Sequence, residues 1–308
     1  MSEHSSAIAA GYPGWMVYWP FPLRPGMVLL VSMVFSGGAV GLGAFFVCMR
    51  SGEWVGAFGG LATSVALLAL CAATRDVTGL KGSRVPRSVV TVRGDERRGG
   101  LLLRCKSIRL TALSFSMFAM WGFLAAAVQF SDNHESMLRR RHDSDVGGWV
   151  VLGMGVFLIG VVVLMAFRTK ADVGLHIAGI SRTARRYRFF GWRYEEDFLR
   201  WEDVDELRVD AFYVHTDYIS VMNPVIRVVS RTLDPSRKLQ RLDTEDSLAL
   251  SPFQLGADPN ALMALMRWCH ENPEVREHLV HQDARRLLHA PPLRERLRRS
   301  REAVKSSK

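Results

Sequence analysis

Four stretches of this chain run for 21 to 23 residues each without an Asp, Glu, Lys, Arg or His: MVLLVSMVFSGGAVGLGAFFVCM (27–49), WVGAFGGLATSVALLALCAAT (54–74), LTALSFSMFAMWGFLAAAVQF (110–130) and VGGWVVLGMGVFLIGVVVLMAF (146–167). At about 1.5 Å of rise per residue, a helix of that length spans the roughly 30 Å hydrocarbon core of a bilayer. The runs therefore predict four transmembrane helices within a 26–168 membrane region. The 48% hydrophobic content of the whole 308-residue chain hides how unevenly that content is distributed.

The loops set the orientation. Residues 75–109 carry ten cations, among them Arg75, Arg93, Arg97, Arg98 and Arg104, against Asp76, Asp95 and Glu96. An excess of this kind marks the cytoplasmic side. The outer loop 131–146 has only Arg139, Arg140 and Arg141. With four spans both termini then face the cytoplasm, in an inner or plasma membrane. A signal peptide would need a shorter apolar run behind a basic start, so cleavage is not expected. Residues 1–25 read as a cytosolic or interfacial segment, because Tyr12, Trp15, Tyr18 and Trp19 stand just before the first run and such rings favour the headgroup level. Gly37/Gly41 and Gly56/Gly60 have the spacing that lets helices approach closely. The pattern of apolar hairpin followed by a strand-like stretch occurs twice, ending in RSVVTVRG (87–94) and DVGLHIAG (172–179). Arg outnumbers Lys by 34 to 6, which fits a GC-rich bacterial genome.

Beyond Arg168 the period changes to two. Val173, Leu175 and Ile177 alternate, as do Tyr187 and Phe189, and then Leu207, Val209, Ala211 and Tyr213. YISVM (218–222) and VIRVVS (225–230) predict two more strands around Asn223-Pro224, and SLALSPFQL (247–255) another. A helix follows: Asp258 is a good N-cap, Pro259 suits the first helical position, and Leu262, Leu265, Met266 and Cys269 form an apolar stripe. Asn272-Pro273 ends that helix and can start another, with Val275 and Leu279 inward.

In order along the chain, GLHIAGI (174–180), WEDV (201–204), ALMALMRW (261–268) and NPEVREHL (272–279) resemble the bacterial pleckstrin-homology-like domains that follow pairs of transmembrane helices in actinobacterial membrane proteins. The likeness covers residues 169–281. It implies a cytosolic, mainly β domain, partly rolled into a barrel and capped by a C-terminal helix. It implies a structural core of Trp201, Val204, Leu207, Leu262, Leu265 and Met266, with Glu202 and Asp203 solvated. It brings no catalytic residues. Residues 282–308 form a basic tail, an interfacial or disordered arm.

Chemistry is harder to find. No span holds an ionisable group of the kind a proton- or ion-coupled transporter needs, and GxSxG, HExxH, P-loop and paired CxxC patterns are missing. Cys48, Cys71, Cys105 and Cys269 have neither disulfide nor metal spacing. Glu274, His278 and His281 could share a helix face, though a solvated surface explains them better than a zinc site. No catalytic residue, metal or other cofactor is expected. Arg182, Arg185, Arg186 and Arg188 fall at the predicted turn between the first two strands and are candidates for contact with anionic lipid. The expected partners are the lipid bilayer, a protein in the membrane or cytosol, and a second copy of the chain; no motif favours nucleic acid. The expectation is a non-enzymatic multi-pass membrane protein with a cytosolic docking module, acting as a scaffold or regulatory partner. The alternative is a subunit of a membrane enzyme or transport complex whose active groups lie in a partner.

Overall fold

A computed structural model describes residues 12, 14–20, 25–74, 85, 88–95, 99–130, 144–167, 170–188, 191–215, 220–237 and 239–306. The chain divides into two compact units, each assembled from separated stretches. The first comprises residues 22–81 and 107–168, and its described elements are helices: α1 (Pro25–Ser51), α2 (Trp54–Thr74), α3 (Arg109–Phe130) and α4 (Ser144–Ala166). All four helices are long and apolar enough to cross a membrane. The 131–146 segment, expected as an outer loop, falls largely outside the described residues.

Helices α1 and α2 are joined by a tight turn in which Gly52 takes a φ of 79°, the left-handed conformation that ends a helix at little cost only for glycine. They cross where glycines leave room. A Cβ on Gly60 would lie 2.7 Å from the Gly41 carbonyl oxygen, and one on Gly59 would meet the Trp121 ring of α3. Ser64 Oγ donates to the Gly38 carbonyl across α1–α2 at 2.8 Å, and Ser114 Oγ donates to that of Ala66 across α3–α2 at 2.7 Å. The small residues thus serve packing within one chain. Facing outward are Leu30, Phe35, Phe46, Trp149, Phe157 and Leu164, all exposed.

The second unit is mainly β and gathers residues 1–21, 82–106 and 169–308. Its larger sheet is antiparallel in the order β1 (Val89–Val92), β2 (Gly100–Leu103), β3 (Lys170–His176), β4 (Gly179–Arg188), β5 (Gly191–Arg200). The smaller sheet is β6 (Glu206–His215), β7 (Ser220–Val229), β8 (Ser247–Leu250). A short α5 (Pro252–Leu255) leads to α6 (Pro259–Glu271), two 3-10 segments (Pro273–Val280 and Gln282–Leu288) and α7 (Leu293–Ser306). Asp258 caps α6 by accepting from the Ala261 N–H at 3.0 Å, with Pro259 in the first turn.

This unit differs from the 169–281 block of the sequence reading in three ways. Residues 89–103 lie in the expected basic cytosolic loop, of which 87–94 was expected to be strand-like; they contribute two strands, β1 there and β2 beyond it: β2 pairs with β3 in the register Leu101↔Leu175, and Leu101 and Leu103 are completely buried. Four consecutive small or apolar residues, GLLL, cover the edge that β3 would otherwise offer unpaired to water, and β1 lies outside them. The second difference is the tail, which is helical in α7 and buries Arg296 and Ser300. Third, β7 runs unbroken through Asn223-Pro224, where two strands were predicted. Pro224 pairs with Ala211 of β6, but β8 reaches only as far as Ile226. Pro224 therefore lies on a stretch with one neighbour, where a missing N–H is tolerated.

Candidate functional site

The four arginines proposed for lipid contact lie along β4 rather than at the turn before it. Strand alternation sends them to two faces. Arg182 is 1% exposed and is clamped by two carboxylates. Its Nη2 donates to Asp197 Oδ2 at 2.6 Å and to Asp243 Oδ2 at 2.7 Å, its Nη1 to Asp243 Oδ1 at 2.6 Å, and its Nε to Asp197 Oδ2 at 3.1 Å. This corrects its assignment: Arg182 ties the β4–β5 hairpin to the segment before β8 and has no surface to offer a headgroup. Arg185, by contrast, stacks its guanidinium 4.1 Å above the Trp192 ring and 5.6 Å from that of Tyr194. Arg186 reaches Glu195 at 3.7 Å. Arg188 ends the strand opposite Gly191; its side chain, like Phe189 as a whole, lies outside the described residues.

The clamp makes stability depend on pH. Burial alone would raise the Asp243 pKa, but the bonds from Arg182 and from the N–H groups of Ala249 and Gln240 outweigh it and hold the carboxyl below its usual value near 3.8. A group whose folded pKa is depressed contributes fully above its unfolded value, and that contribution disappears as pH falls through the folded one. Thermal unfolding of the full chain in detergent should therefore show Asp243→Asn well below wild type at pH 7, with the difference closing below about pH 4. A difference that stayed constant down to pH 3 would refute the assignment.

Two stretches singled out in the sequence meet in space. Trp201 lies fully buried in a 3-10 turn between the sheets, its Nε1 donating to the His176 carbonyl at 2.8 Å. Arg276, from NPEVREHL, places its guanidinium 5.7 Å from the Trp201 ring, donates through Nη1 to Glu202 Oε1 at 2.5 Å and through Nε to the Cys269 carbonyl at 2.9 Å. The hydrogen bond from Arg276 holds the Glu202 carboxyl below its ordinary pKa. Glu202 is thus partnered rather than merely solvated. Val204, Leu207, Leu262, Leu265 and Met266 are buried in the same core. Burial raises the Cys269 pKa to about 12 and keeps it a thiol.

The aromatic segment ahead of α1 is also used differently from the headgroup belt predicted. Trp15 and Trp19 are 6% and 4% exposed, inside the mainly β unit. Trp15 Nε1 donates to Asp258 Oδ1 at 2.8 Å and Trp19 Nε1 to the Asp210 carbonyl at 2.8 Å. The N–H groups of Tyr18 and Trp19 both donate to Asn260 Oδ1, at 2.8 and 3.0 Å. Tyr12 donates its hydroxyl to the Leu287 carbonyl, and burial raises its pKa. Arg296, whose own pKa burial lowers, lies 3.6 Å from Asp258 on the other side. Residues 12 and 14–19 thus form a strap across the N-terminus of α6. The signal for this in the sequence was Asp258-Pro259-Asn260, a cap with polar groups to spare.

Two further clusters involve histidines. His176 is buried between Ser181 Oγ, 2.7 Å from its Nε2, and the Gly99 carbonyl, 3.3 Å from its Nδ1. His278 stacks on Trp268 with ring centroids 6.4 Å apart and lies 5.9 Å from His281. Among the described residues no group of three His, Cys, Asp or Glu side chains is placed to hold a metal. Compared with known proteins, the chain matches no family model, no curated protein and no solved structure.

Proposed function

We propose that the chain is a multi-pass protein of the bacterial cell membrane whose mainly β unit is a cytoplasmic, pleckstrin-homology-like docking module, serving as a scaffold or regulatory partner rather than as an enzyme. One observation carries the reading. The three stretches that fold together, 1–21, 82–106 and 169–308, are separated in sequence by pairs of apolar helices. Stretches that share one hydrophobic core must lie on the same side of a membrane, and each pair of helices is then a hairpin that leaves that side and returns to it. The positive-inside rule assigns the side, because the stretch between α2 and α3 carries the cationic excess. Two three-stranded groupings, β3–β5 and β6–β8, followed by α6 with Leu262, Leu265 and Met266 in the core, support the pleckstrin-homology-like reading. Strands β1 and β2 are additions to it.

Two measurements on the full chain test this. In intact cells, protease added outside should leave residues 169–308 intact, whereas cleavage there would reverse the topology. Affinity purification from native membranes should recover a stoichiometric protein partner; turnover or solute flux by the purified protein alone would overturn the docking role.

A further inference from the structure

The far end of the β4–β5 hairpin carries a pattern that neither the clamp nor the core accounts for. Cross-strand partners here are Arg185↔Tyr194, Arg186↔Arg193 and Tyr187↔Trp192. Alternation therefore gives the tip one face made of Arg185, Tyr187, Trp192 and Tyr194, and an opposite face where Arg186 and Arg193 stand side by side. On the first face Tyr187 and Trp192 meet edge to face at 5.4 Å, and Tyr194 is 65% exposed. Arg185 lies on these rings and, among the described residues, makes no ion pair; its Nε lacks a hydrogen-bond partner there. On the second face two like charges directly opposite repel; Arg186 has the Glu195 carboxylate at 3.7 Å, and Arg193 makes no ion pair among the described residues. Arg193 is exposed. Exposed rings beside uncompensated guanidinium groups suit one environment: the boundary where apolar surface gives way to a layer of anions.

The chain connection favours a membrane as the source of those anions. Only residues 167–169 separate α4, which ends at Ala166, from Lys170, and Lys170 is the register partner of Arg185. Whatever angle the β unit adopts, this tether is short, and four residues reach at most about 14 Å.

We infer that the tip of the β4–β5 hairpin, through Tyr187, Trp192 and Tyr194 with Arg185, Arg186 and Arg193, is a membrane-surface anchor for anionic phospholipid headgroups. It rests on the membrane reading above. Burial of Arg182 fixes the base of the hairpin, so the anchor is presented on a stiff ribbon. Each arginine near an anionic surface contributes roughly fivefold to the partitioning of the tip.

The test uses full-length protein with the photoreactive residue benzoylphenylalanine in place of Tyr194, reconstituted in nanodiscs of phosphatidylcholine alone or mixed with phosphatidylglycerol. After irradiation, mass spectrometry of the hairpin peptide should show a phosphatidylglycerol adduct in mixed discs. Its yield should fall by roughly tenfold or more when Arg186→Ala and Arg193→Ala are combined. The same photoreactive residue in place of Phe157, an exposed position of α4, should take up lipid of either kind. If position 157 labels lipid and position 194 does not, the anchor is refuted while the membrane reading stands; if neither labels lipid, both fail. A lipid adduct at 194 indifferent to headgroup charge and to the arginines overturns the anionic assignment. Preferential labelling of an added RNA in competition with the mixed discs would assign the tip to nucleic acid instead.

Discussion

Arg182→Ala is expected to destabilise the mainly β unit by about 3–5 kcal/mol, because it leaves a carboxylate buried without its counter-charge. The side chain of Asp243 is wholly inaccessible, and besides two backbone N–H groups its described partners are Arg182 at 2.6 Å and Arg237 at 3.4 Å. Arg237 is too long a contact to replace the lost bonds. Asp197 keeps 18% of its side chain in solvent and can be rehydrated, so Asp197→Asn should cost less than the Arg182 change. Replacing the buried pair together, Arg182→Met with Asp243→Leu, should recover part of the loss, since a buried ion pair and a well-packed apolar pair can be of similar stability. Thermal unfolding of the full chain in detergent would rank the four proteins. An Arg182→Ala protein within about 1 kcal/mol of wild type would show that the clamp is wetter than its geometry indicates.

Trp19→Ala is the second large effect, about 3–5 kcal/mol for emptying a buried aromatic site. The indole joins the central core and its N–H is bonded to the Asp210 carbonyl. Loss of the ring should also loosen the neighbouring strap, so that exchange-protected amides of Tyr18 and Trp19, held by Asn260, become labile in hydrogen-exchange measurements. Trp19→Phe retains most of the apolar contact and loses one hydrogen bond, for a cost nearer 1 kcal/mol. If Trp19→Ala left both unfolding and exchange unchanged, the strap would be an ornament rather than part of the core.

The strap and the clamp also show how far the sequence could be read. Apolar runs of uniform length announce α1 to α4, since about twenty apolar residues in a row match the length of a helix able to cross a bilayer. Asp258-Pro259 announces α6 because cap chemistry is local. Trp15 and Trp19 were not legible as core, because a tryptophan beside an apolar run has the same local signature whether it lies at a headgroup or inside a fold; what decides between them is Asp258 and Asn260, about 240 positions away. Arg182 resembled its neighbours Arg185 and Arg186 for the same reason. The carboxylates that bury it stand 15 and 61 positions along the chain, and alternation on a strand gives a residue's face without saying which face is covered. GLLL at 100–103 is hidden among cations, of which Arg93 and Arg104 are exposed.

Interleaving has a cost during synthesis. Strands β1 and β2 leave the ribosome before α3 and α4 are made, while the strand that completes them, β3, comes only after α4. At 5–20 residues per second the unfinished hairpin waits for several seconds with Leu101 and Leu103 unprotected. A nascent chain of this kind has to keep those leucines from the wrong neighbour until β3 is made, and any message truncated before residue 170 would yield a product whose β2 edge is left without the strand that covers it.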